Sequence, residues 1–215
     1  MSNREPLFSA KNMKSLTNPL NAGNPITVLV LGICPTLAIT VKMENALVMS
    51  LSVLAVLSIA NVIIAALRNT IPPRIRIIVQ LVVIASLVIL VDQVLKAFVF
   101  QISKQLSVYV GLIITNCIIM GRLEAFALGN KPWPAFLDGI GNAIGFGFIL
   151  LLLAFIRELF GSGTIFGFPV FEKLGLYNIG YENNGLMILP PMALITIGII
   201  IWIHRSLNRD LIEDN

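Results

Sequence analysis

Between Asn45 and Leu67 the chain reads NALVMSLSVLAVLSIANVIIAAL, a run without a single charge. As a helix this run measures about 34 Å, enough to cross the roughly 30 Å hydrocarbon core of a bilayer. Three further runs have the same character. Ile77 to Leu95 is interrupted only by Asp92, and Gly139 to Ile156 and Asn183 to Ile203 carry no charge at all. Composition points the same way. The 215 residues are 57% hydrophobic and 12% charged, with mean hydropathy +0.90, whereas soluble domains run near 45–50% apolar and about 25% charged. A water-soluble globular domain is excluded. The net charge of +4, from 15 basic and 11 acidic residues, is too small and too scattered for a nucleic-acid partner. With one histidine and two cysteines, no metal or redox site complete within this chain is apparent.

Two shorter runs sit between the long ones. Ile26 to Val41 has Pro35 inside it, and Gln105 to Gly121 is broken by Gly111, Thr115, Asn116 and Cys117. Proline removes a backbone donor and kinks or breaks a helix, so both read as membrane segments that are short or discontinuous. The expected fold is all-α: a polytopic membrane protein with six transmembrane segments. The opening stretch, 1–25, carries Arg4, Lys11 and Lys14, then Pro19, Gly23 and Pro25 in place of an apolar signal core. It reads as an N-terminal cytoplasmic tail, followed by one membrane domain over 26–204 and a C-terminal tail over 205–215. With six spans, ten Lys and Arg side chains fall on the side of the termini and five on the other. That bias places both termini in the cytoplasm.

The two short runs share a pattern. Each carries one cysteine (Cys34 and Cys117), followed by a base, a spacer and a glutamate (Lys42-Met43-Glu44 and Arg122-Leu123-Glu124). A long apolar helix follows in each half and ends near Arg68 or Arg157. Two three-segment repeats result, about 26–100 and 105–204. An odd number of spans per unit makes them inverted, with short or broken first helices facing each other near the midplane. Paired interrupted segments of this kind mark the functional site in inverted-repeat membrane folds.

Cys34 and Cys117 admit two readings. Free cysteine often behaves as a small buried hydrophobe, and a structural disulfide is disfavoured in a cytoplasmic membrane. Their symmetric placement beside helix-breaking residues suits a cluster or metal better. An iron–sulfur cluster normally takes four thiolates, so this chain offers half a site. Asp92 reads either as an ion-path carboxylate or as the partner of Lys96 at i,i+4. Lys42/Glu44 and Arg122/Glu124 read as pairs at the ends of the half-segments, and Arg157-Glu158 with Gly161 and Gly163 as a helix end. Gly139, Gly141, Gly145 and Gly147 would let helices approach closely, with a partner subunit as the expected neighbour. His204 and Arg205 read as interfacial anchors closing the last helix. No catalytic triad or phosphate loop is present, so no catalytic residue is assigned.

Three stretches carry a family resemblance: Leu31-Gly32-Ile33-Cys34, the run from Ile102 to Arg122 (ISKQLSVYVGLIITNCIIMGR), and Arg157-Glu158-Leu159-Phe160-Gly161-Ser162-Gly163. Together they resemble the D-subunit family of the bacterial Na⁺-translocating NADH:quinone reductases, from about Asn18 to Trp202. A related ion-pumping ferredoxin:NAD⁺ oxidoreductase (Rnf) complex has a similar subunit. The resemblance implies a six-subunit translocase of the inner membrane, in which this chain packs against a homologous E subunit. It implies that Cys34 and Cys117 bind iron of a [2Fe-2S] cluster shared with that subunit. Such a cluster relays electrons between the cytoplasmic NADH-oxidising subunit and the covalent flavin of the C subunit. NAD, flavins and ubiquinone are then bound by other subunits. Pro35 departs from the small polar residue expected after the first cysteine. A small secondary transporter using the broken segments to bind an ion or solute is the competing expectation.

Overall fold

The computed structural model describes residues 17, 19, 23–98, 111–166, 168–169 and 185–208. The expectations for residues 1–16, 105–110 and 209–215, and for the start of the last run at Asn183, lie outside that set. Six α-helices are described with both ends: α1 Ile33–Ile39, α2 Met43–Leu67, α3 Arg76–Phe98, α4 Cys117–Arg122, α5 Pro132–Ser162 and α6 Pro190–Leu207; residues 111–114 are helical as well, ahead of the break at 115–116. Helix α4 continues into a π-helical turn at Leu123–Ala127, where Leu128 N–H donates to Leu123 O. Beyond the helices stand a short 3₁₀ turn at Gly185–Ile188 and a short antiparallel strand pair, Thr164–Ile165 with Phe168–Pro169.

Four helices, α2, α3, α5 and α6, are long and apolar enough to cross a membrane. Helices α3 and α6 present Ile77, Ile78, Val82, Ile89, Leu194, Ile195, Ile199 and Trp202 outward. An apolar surface of that extent is stable against lipid rather than water. The chain is a multi-pass membrane protein. The two short runs of the sequence form no continuous span among the described residues. Residues 23–30 fold into turns around Asn24, whose Oδ1 accepts from Ile26 N–H and Thr27 N–H. The backbone then passes through left-handed conformations at Val30 (φ 56°) and Gly32 (φ 79°) before α1 begins. Pro35 starts α1 rather than breaking it: it sits at the third helical position, where a missing N–H leaves no intrahelical bond unmade.

The core lies between α2 and α5. Val53, Val56, Leu57 and Ala60 on α2 meet Phe146, Leu150 and Leu153 on α5, all fully buried. The glycines of α5 make this closeness possible. A Cβ at Gly139 would stand 3.0 Å from Ser58 Cα and 3.3 Å from Leu57 O, and one at Gly147 would stand 3.1 Å from Ser50 Cβ. As residue numbers rise from 139 to 147 on α5, their neighbours fall from 58 to 50 on α2, so the two helices are antiparallel. Asn61 Nδ2 fixes the register by donating to Ala135 O at 2.9 Å. The expectation of a partner subunit is corrected for three of the four glycines: Gly139 and Gly147 pack on α2, and Gly145 packs against Pro19 O of the same chain. Small residues in a membrane helix admit any close neighbour, and the sequence pattern does not say whose backbone that is.

Candidate functional site at the paired helix starts

Each cysteine stands at the start of a short helix. Cys34 is the second residue of α1 and Cys117 the first of α4. Both thiols are free and exposed in this chain. The two starts differ in how they are capped. Gly32 precedes α1 in a left-handed conformation with no side-chain cap. Asn116 precedes α4 with Oδ1 accepting from Ile118 N–H at 3.2 Å. Its Nδ2, in a residue only 1% exposed, has no hydrogen-bond partner among the described residues.

The two starts meet. A Cβ at Gly32 would stand 2.7 Å from Ile118 Cδ1 and 3.0 Å from Phe146 Cε2, and one at Gly121 would stand 3.2 Å from Leu31 Cδ1. The residue two before Cys34 therefore touches the residue after Cys117, over the middle of α5. Two buried charges on α5 fix the outer ends of the same short helices. At one end Asp138 receives Nε (3.0 Å) and Nη2 of Arg122, the last residue of α4. At the other, Arg157 Nη1 donates to Leu37 O (3.3 Å) and to Thr40 Oγ1 (2.5 Å), at the carbonyl end of α1. Asp138 and Arg157 stand about 28 Å apart along one helix, close to the thickness of the hydrocarbon core. The short helices thus finish toward opposite ends of α5 and bring their cysteine-bearing starts toward its centre.

Neighbouring charges complete the frame. Glu158 Oε2 accepts from Met43 N–H, the first residue of α2, at 2.6 Å. Arg157 and Glu158 together straddle the α1–α2 turn, cation on the carbonyl side and carboxylate on the amide side, as the helix dipoles favour. Gly163, left-handed at φ 68°, ends α5 with its N–H on Leu159 O, so the helix ends in this stretch as expected, with Arg157 and Glu158 in its last two turns. Glu124 pairs with Arg76 and accepts from Gln80 Nε2 at 3.1 Å. The expected partnership of Arg122 with Glu124 is therefore corrected: Arg122 serves Asp138 and Glu124 serves α3. Among the described residues no ion pair joins Lys42 to Glu44, and Glu44 is exposed. Asp92 pairs with Lys96 at 2.5 Å, the i,i+4 contact of the plainer reading. His204 and Arg205 lie in the last turn of α6, with Arg205 Nη2 on Val28 O.

Asp138 is the functional-looking charge that sequence reasoning missed, because the charge-free window begins one residue after it. The Pro132-Trp133-Pro134 run was the available signal. Prolines start helices, and a start at 132 puts Asp138 in the second turn of α5. Among the described residues no three His, Cys, Asp or Glu side chains come together.

Comparison with known proteins places this arrangement. The family model described as "Rnf-Nqr subunit, membrane protein" matches residues 12–201. A protein of a Shewanella species, named as the D subunit of a Na(+)-translocating NADH-quinone reductase, is 53% identical over 208 residues, covering 96% of this chain and 99% of its own. One of the same name from Psychromonas ingrahamii is 54% identical over 200 residues, covering 92% and 94%. Another from Shewanella baltica is 52% identical over 208 residues, covering 96% and 99%. With its four apolar membrane helices and its paired helix starts, the chain belongs to the Rnf-Nqr family of membrane subunits.

Proposed function

We propose that this chain is the D-type subunit of a Na⁺-translocating NADH:quinone reductase. In this reading Cys34 and Cys117 supply two thiolate ligands to a [2Fe-2S] cluster completed by a homologous E subunit. The observation that carries it is the meeting of the two cysteine-bearing helix starts, Gly32 on Ile118 and Leu31 on Gly121. The donor set fits. Two free thiols brought toward one another suit a thiolate centre, and the unpartnered Asn116 Nδ2 beside Cys117 is a donor that sulfur would accept. Such a cluster takes four thiolates, so its other two come from another chain.

When bound, the cluster supplies a one-electron relay within the bilayer between the NADH-oxidising subunit and the flavin subunits. This chain's residues hold it, orient it and keep water from it; NAD, flavins and ubiquinone belong to other subunits. The shared element order of the two halves and the antiparallel α2–α5 pair support two inverted units over 26–100 and 105–204. The complex in this reading is a six-subunit one of the inner membrane, and the Lys and Arg bias favours both termini in the cytoplasm. The names of the relatives favour the quinone reductase over the ferredoxin-linked complex.

Electron paramagnetic resonance and iron analysis of the purified complex test this reading. The expected result is one [2Fe-2S] signal beyond that of the NADH-oxidising subunit. No iron beyond that subunit's would refute it and favour a transporter binding an ion or solute at the broken segments.

A further inference from the structure

Arg157 is among the largest fully buried side chains in the protein, 1% exposed, and among the described residues its guanidinium forms no ion pair. Its hydrogen bonds there go to oxygen in one of two places. Nη1 reaches Leu37 O and Thr40 Oγ1 at the end of α1. Nε donates to Met187 O at 3.1 Å and Nη2 to Ile188 O at 2.6 Å, in the turn that leads into α6. Arginine's planar fork suits this two-sided grip, and lysine's single ammonium does not. The Thr40 hydroxyl is itself aimed by donating to Thr36 O at 2.7 Å, and Thr36 Oγ1 donates to Gly32 O at 2.6 Å. A chain of hydrogen bonds therefore runs from Arg157 along α1 to the residue two before Cys34.

We propose that Arg157 is the positioning residue of the Cys34 arm, locking α1 from its carbonyl end and raising the reduction potential of the centre held at its other end. The proposal rests on the cluster reading above. Leu37 and Thr40 are three and six positions from Cys34, about 5 and 9 Å along the helix. A unit charge at roughly 10 Å, with an effective dielectric near 20, changes a one-electron equilibrium by about tenfold. Reduction adds an electron, and the cation favours the reduced form.

The two roles separate by substitution in the assembled complex. Arg157→Gln removes the charge: the midpoint of the intramembrane cluster is expected to move about 59 mV negative, a tenfold fall in the ratio of reduced to oxidised centre. Arg157→Lys keeps the charge and loses the fork: the midpoint is expected to stay near the parent value. Amide exchange over 33–40 and 185–189 rises in both variants, while 117–122 is unchanged. An Arg157→Gln complex whose cluster titrates at the parent midpoint would overturn the proposal. If that variant does not assemble, Arg157→Lys decides: unchanged exchange over 33–40 overturns it. A parent complex without the cluster signal defeats the cluster reading instead, before any variant is compared.

Discussion

The substitution Gly32→Val is expected to abolish most assembly of the complex and the intramembrane cluster signal with it. Two independent penalties act at this position. The backbone is left-handed at φ 79°, which costs an L-residue roughly 1–2 kcal/mol and a β-branched one more. The added Cβ would stand 2.7 Å from Ile118 Cδ1 and 3.0 Å from Phe146 Cε2, and both neighbours are fully buried. Overpacking a core costs about 1–3 kcal/mol more. Neither neighbour can move outward, so the strain falls on the two helix starts. Thermal unfolding of the purified complex, with assembly yield beside it, reads the loss. Gly111→Ala is the matched control: a Cβ there meets nothing within 4 Å, and the expected change is within about 0.5 kcal/mol. Equal behaviour of the two variants would mean that the starts do not pack as described.

A comparable loss is expected from Arg122→Ala. Asp138 has a side chain only 3% exposed and receives two donors from Arg122. Removing one partner of a buried pair leaves a charge unpaired in low dielectric, at a cost of about 3–5 kcal/mol. Arg122 also lies over the Phe126 ring at 5.4 Å, so truncation loses that contact too. The double variant Arg122→Leu with Asp138→Leu is expected to recover much of the stability, because no charge is then left buried. A double-mutant cycle read by thermal unfolding distinguishes the cases. A near-additive cycle would mean that the pair is not coupled.

Much of this architecture was legible in the residue order. Apolar runs long enough to span a bilayer announce themselves by the absence of charge, and three of the four long runs match helices α2, α3 and α5, with α6 covering the later part of the last. The break before Cys117 was readable from Thr115 and Asn116, because a short polar side chain caps a helix start better than it continues a helix. Charge pairing was not readable. Arg122 lies two positions from Glu124 and sixteen from Asp138, yet takes the distant partner, because residues two apart on a helix do not share a face. Arg157 looked like an interfacial charge at a helix end. Its four oxygen partners come from α1 and the turn at 185–188, segments far away in sequence, and only the folded chain brings them to it. The glycines of α5 announced close packing correctly and concealed its partners, which are α2 for Gly139 and Gly147 and Pro19 for Gly145.

Cys34→Ala and Cys117→Ala, each introduced into the whole complex, test the shared cluster most directly, through iron content, the intramembrane resonance signal and quinone reduction. Either substitution is expected to lower iron by two atoms per complex and remove that signal. NADH oxidation by an artificial acceptor is expected to persist, and quinone reduction to be lost. Iron content, signal and quinone reduction that all remain at parental levels would contradict the ligand role of both thiols.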